Sequence, residues 1–82
     1  MGAGGEVALE EVWRMLEHCA PGHSRQATTH YWCVRFNGIT YPRLPLGNHG
    51  RRKFPAVQAG HVRAMARHLG FLDCARGFIE GL

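Results

Sequence analysis

The chain has 82 residues, room for one domain and one modest core. Its 45% hydrophobic and 20% charged content is that of a folded globule rather than a disordered chain, and no apolar run approaches the ~18 residues that a membrane span needs. Ten Lys and Arg against six Asp and Glu leave a net charge of +4, and nine of the ten basic residues are arginine, whose rigid bidentate fork suits phosphate recognition better than a diffuse solubilising charge would.

Residues 1–5 are Gly-rich and expected to be flexible, and residues 6–82 are expected to form the single domain. Residues 6–20 read as a helix, because Val7, Leu9, Val12, Trp13, Leu16 and Cys19 return at helical spacing while Glu10, Glu11, Arg14 and Glu17 face away. Pro21-Gly22 ends it. Residues 23–29 are short and polar, an edge strand and turn. The run His30-Tyr31-Trp32-Cys33-Val34-Arg35-Phe36 alternates as a strand, and Asn37-Gly38 fits a type I′ turn into a second strand beginning Ile39-Thr40-Tyr41.

That turn sets a register in which Phe36 faces Ile39, Val34 faces Tyr41, Trp32 faces Arg43 and His30 faces Pro45. Trp32, Val34, Phe36, Ile39 and Tyr41 then pack under helices, while Tyr31, Cys33, Arg35 and Thr40 point the other way. Pro42 and Pro45 cannot donate to a ladder, so their strand is expected at an edge or interrupted by a bulge. Residues 47–55 form a turn-rich loop that carries Arg51, Arg52 and Lys53 together. A helix over residues 60–69 follows, with Val62, Met65, Ala66 and Leu69 inward, His61, Arg63, Arg67 and His68 outward, and Gly70 as its C-terminal cap. A short last helix begins at Leu72-Asp73, with Asp73 as its N-cap and Cys74, Ala75, Phe78, Ile79 and Leu82 apolar. The order is helix, three strands, two helices, with no internal repeat. It implies an α+β fold, a small three-stranded antiparallel sheet with helices packed on one face.

Cys19, Cys33 and Cys74 are too few and oddly numbered for a disulfide framework, so free thiols and a reducing, cytoplasmic setting are expected. Cys19, His23, His30 and Cys33 offer four zinc-ligand types but lack the paired short spacings of a zinc ribbon or finger, and no metal or other cofactor is inferred.

The string of a helix, Thr28-Thr29-His30 opening an aromatic strand, Asn37-Gly38, a Pro-containing strand and then Gly60-His61-Val62-Arg63-Ala64-Met65-Ala66-Arg67-His68-Leu69-Gly70-Phe71 resembles the HicA family over residues 9–82. Members are small bacterial and archaeal toxins with a double-stranded-RNA-binding-like fold. The resemblance implies a metal-independent mRNA interferase, silenced by a HicB-type antitoxin, whose single catalytic histidine corresponds to His30. Members usually carry a glycine just before that histidine, where this chain has Thr28-Thr29.

Metal-free RNA cleavage needs a base for the 2′-hydroxyl proton, an acid for the leaving oxygen and positive charge near the phosphorane-like transition state. An imidazole, with a reference pKa of about 6.5, serves as either acid or base near neutral pH. His30 is the first candidate and His49 its expected partner, with Thr29 positioning His30. Arg51, Arg52, Lys53 and Arg43 are expected on phosphate, and Tyr31 with Arg35 as a stacking site on the open sheet face. Two other readings remain open: an RNA-binding module of the same fold without cleavage, and an interaction protein whose exposed sheet edge accepts a partner.

Overall fold

The computed structural model describes residues 5–47 and 55–82. Strand β1 (Glu6–Ala8) leads directly into helix α1 (Leu9–Cys19); β2 (Ser24–Ala27), β3 (Tyr31–Phe36) and β4 (Ile39–Pro45) follow; β5 (Ala56–Gln58) leads into α2 (Ala59–Leu69), and α3 (Leu72–Phe78) closes the order. The fold is α+β, with an antiparallel sheet ordered β2-β3-β4 and a separate antiparallel ribbon of β1 and β5. Among the described residues no helix is long and apolar enough to cross a membrane.

The apolar stripes of the helices meet one face of the sheet. Val12, Met15 and Leu16 of α1 and Val62, Met65 and Ala66 of α2 enclose Val34 and Leu44, all fully buried. Aromatic contacts tie the layers at their margins: Trp13 of α1 meets Trp32 edge-on at 4.9 Å, Phe36 meets Phe71 at 5.9 Å, and the Arg25 guanidinium lies 4.4 Å over the Trp13 ring. The other face is open, with Ser24, Gln26, Tyr31, Arg35 and Thr40 exposed.

The expected hairpin register holds from Phe36↔Ile39 to Val34↔Tyr41 and then shifts, so that Trp32 faces Leu44 and Tyr31 faces Pro45. Pro42 and Arg43 together oppose Cys33 in a β-bulge on this edge strand. The regular register would have turned Arg43 toward the helices, where its charge lacks a partner. The extra residue exposes Arg43 and buries Leu44 instead. The turn itself is as expected, with Asn37 at φ 56° and Gly38 at φ 82°.

Four further expectations are corrected. The first helix starts at Leu9 rather than at residue 6, because residues 6–8 pair with β5 and the Leu9 N–H donates to the Pro55 carbonyl at 2.9 Å. A repeat is present: Val7 pairs with Val57, the Ala59 N–H donates to the Gly5 carbonyl at 2.9 Å in mirror of the Leu9 bond, and Val12, Met15 and His18 of α1 correspond to Val62, Met65 and His68 of α2. Two strand-helix units thus meet about a local two-fold at Val7 and Val57. Asp73 is not the N-cap of α3, which begins at Leu72 after Phe71. Cys19 and Cys74 are not free thiols: a disulfide joins α1 to α3 across Cα atoms 5.7 Å apart, leaving Cys33 free. The disulfide removes the free-thiol basis for a reducing compartment, and Cys19 is no longer available to zinc.

Candidate functional site

The β2-β3 hairpin turns through Thr28, Thr29, His30 and Tyr31. The Thr28 N–H donates to the Tyr31 carbonyl at 2.7 Å, its hydroxyl donates to the same oxygen at 3.0 Å, and the Tyr31 N–H donates back to that hydroxyl at 3.2 Å. A threonine side chain and the backbone thus close the turn together. Thr29 and His30 occupy its exposed tip, so His30 does not sit within the ladder facing Pro45 as expected; Tyr31 takes that place. The bracing hydroxyl belongs to Thr28, not Thr29, a role the sequence signalled only by placing two threonines together.

The His30 imidazole stands edge-on to the Tyr31 ring at 6.5 Å and 74°, and Tyr31 is 41% exposed. Among the described residues His30 makes no hydrogen bond or ion pair, so its ring nitrogens face solvent or a ligand. The tip lies at the end of the sheet where β4 finishes, since Tyr31 pairs with Pro45. Two residues later, Gly47 at φ 81° accepts a hydrogen bond from the Ala56 N–H at 3.0 Å, and a Cβ there would lie 2.9 Å from the Ala56 carbonyl. The chain thus leaves and returns through one point at the His30 end. His49, Arg51, Arg52 and Lys53 fall between these anchors and lie outside the described residues.

The two other candidate arginines separate. Arg43, exposed in the bulge opposite Cys33, is on the half of the sheet nearer the tip. Arg35 shares the open face with Tyr31 but lies four residues along β3, roughly 13 Å away at strand spacing, and pairs with Thr40 near the Asn37-Gly38 turn. Tyr31 and Arg35 are therefore not one stacking site. Of the outward helix residues, His68 is engaged: its Nε2 donates to the Thr40 carbonyl at 3.1 Å and its ring rests 5.7 Å from Tyr41. Among the described residues no group of three or more His, Cys, Asp or Glu converges as a metal site.

No known protein family, curated protein or solved structure matches the chain.

Proposed function

We propose that the chain binds RNA and cleaves it through His30, as a HicA-like toxin held in check by a HicB-type antitoxin. The observation that carries the reading is the Thr28-braced tip, which presents an imidazole with no hydrogen-bond partner among the described residues beside an exposed tyrosine. Such a tip meets an unpaired, splayed RNA strand: a base stacks on Tyr31 while the ribose-phosphate passes His30. The imidazole takes the 2′-hydroxyl proton, the 2′-oxygen attacks phosphorus, and the 5′-oxygen leaves with a proton from a second donor. His49 is the proposed donor, and Arg43, Arg51, Arg52 and Lys53 the proposed phosphate contacts. An RNA substrate goes with the cytoplasm, where the Cys19–Cys74 bond meets a reducing pool.

The deciding measurement is cleavage of a single-stranded RNA in EDTA by the wild type and by His30→Ala, both checked for folding by circular dichroism. Cleavage by the wild type and its loss in the folded variant are the expected result; equal activity in both removes His30 from the chemistry. The non-cleaving RNA-binding module is the second reading, favoured by the lack of any acid or base bonded to His30 among the described residues. RNA binding without cleavage by the wild type selects it. Among the described residues the outer edge of β2 pairs with no other strand, which leaves strand addition by a protein partner as the remaining reading.

A further inference from the structure

The disulfide that joins α3 to α1 has two unequally placed ends. Cys74 on α3 is exposed, whereas Cys19 on α1 is half-buried. Cys74 also lines a cleft of about 440 Å³, together with Arg67 of α2, Asp73 of α3 and the turn between the two helices. Arg67 and Asp73 are both exposed, and among the described residues neither makes an ion pair or a side-chain hydrogen bond. An accessible half-cystine therefore shares its cleft with a cation and an anion that are both free to take a ligand.

That combination selects a reagent. A disulfide opens when a thiolate attacks one sulfur and expels the other, and access decides which sulfur is attacked. The exposed Cys74 is the open target. No residue of α1 lines the cleft, so a thiol held there approaches Cys74 from a side that its Cys19 partner's helix does not cover. The Arg67 guanidinium is a fork for a carboxylate, and the Asp73 carboxylate accepts from an ammonium group. A thiol that carries both groups is held at two points while its sulfur reaches Cys74. A thiol that carries neither has only its own reactivity.

We propose that Cys74 is a thiol-exchange site, and that the cleft of Arg67 and Asp73 takes low-molecular-weight thiols bearing both a carboxylate and an ammonium group, as a cysteine-containing peptide does. The incoming thiolate bonds to the Cys74 sulfur while the Cys19–Cys74 bond breaks, and Cys19 leaves with the electron pair as a thiolate that takes a proton from water. A second thiolate then attacks the mixed disulfide and releases Cys74 and the oxidised thiol dimer, so that two thiols supply the two electrons that reduce the bond. From the first step onward α3 has no covalent tie to α1. The site stands on its own geometry and does not depend on the RNA reading.

The test incubates the oxidised full chain with reduced glutathione, a tripeptide with both groups, and in parallel with 2-mercaptoethanol, which has neither. Acid quenching stops exchange, and peptide mass mapping locates the adducts and free thiols. The expected first product carries glutathione on Cys74 and a free thiol at Cys19. Arg67→Gln, at an exposed position and checked for folding by circular dichroism, should slow opening by glutathione roughly two- to fivefold and leave opening by 2-mercaptoethanol unchanged. Asp73→Asn should act in the same direction. Glutathione found first on Cys19 overturns Cys74 as the target. Equal effects of Arg67→Gln on both thiols, or no effect on either, overturn the cleft as the holding site. A bond that neither thiol opens in the folded chain overturns the whole proposal.

Discussion

Leu44 carries more of the sheet's specification than its place on an edge strand suggests. It is fully buried only because Pro42 and Arg43 share one partner, so removing its side chain empties core space beneath α2 and weakens the reason for the bulge. Leu44→Ala should cost about 2–5 kcal/mol in urea unfolding; a cost well under 1 kcal/mol would mean that the bulge is set by the prolines alone. Gly47 is constrained twice, by a positive φ and by the Ala56 carbonyl against its Cα, so Gly47→Ala should destabilise by more than the roughly 1 kcal/mol of a helix glycine exchange. Thr28 acts through its hydroxyl: Thr28→Val should loosen the tip at a stability cost of about 1 kcal/mol, with Thr28→Ser close to wild type. Amide exchange at Tyr31 reads this directly, and unchanged protection in the valine variant would show that the backbone bond alone holds the turn.

Among the elements, α3 depends on a covalent tie. It is seven residues long, too short to persist alone, and is held by buried Ala75, by Phe71 and Ile79 at its ends and by the Cys74 link to α1. Closing a loop over a sequence separation of 55 removes unfolded-state entropy equivalent to about 4 kcal/mol. Reduction with dithiothreitol, or Cys19→Ser with Cys74→Ser, should therefore lower the unfolding midpoint, with amide exchange accelerating first in α3. An unchanged midpoint would show that apolar packing alone fixes the helix. The strands β1 and β5 stand at the other extreme of legibility. Three residues each give no periodicity to read, and neither has a partner until the chain closes on itself.

Across the whole molecule the charge is unevenly shared between the two related helices. α1 carries Glu10, Glu11 and Glu17 against Arg14, whereas α2 has no acidic residue and carries Arg63 and Arg67. The Glu10–Arg14 pair, at 2.8 Å but largely exposed, adds little to stability. If RNA enters at the His30 end, its affinity falls with salt, and Arg43→Ala reduces the slope of log K against log[salt] by roughly 0.7 for a single strand. Arg35→Ala, at the far end of the open face, should change that slope less. Equal effects of the two variants would place the strand along the whole sheet rather than across its end.

Much of the architecture follows from local pattern. The helical stripes ending in Leu16 and Leu69, the alternation from Tyr31 to Phe36, the positive-φ Asn37-Gly38 turn and the left-handed Gly70 are properties of neighbouring residues, and they suffice for an α+β domain with one face of its sheet covered. His30 and Tyr31 could be placed in the same way, at the opening of a strand. Tertiary structure decided what depends on residues distant in sequence. Burying a leucine rather than an arginine shifted the register at Trp32, and a partner some fifty residues away turned the first residues of an apparent helix into a strand. The approach of α3 to α1 paired two of three cysteines that composition alone reads as free. The pairing of Glu6 with Gln58 arises the same way. No spacing links residue 6 to residue 58, and only antiparallel pairing of the ribbon puts a carboxylate beside an amide.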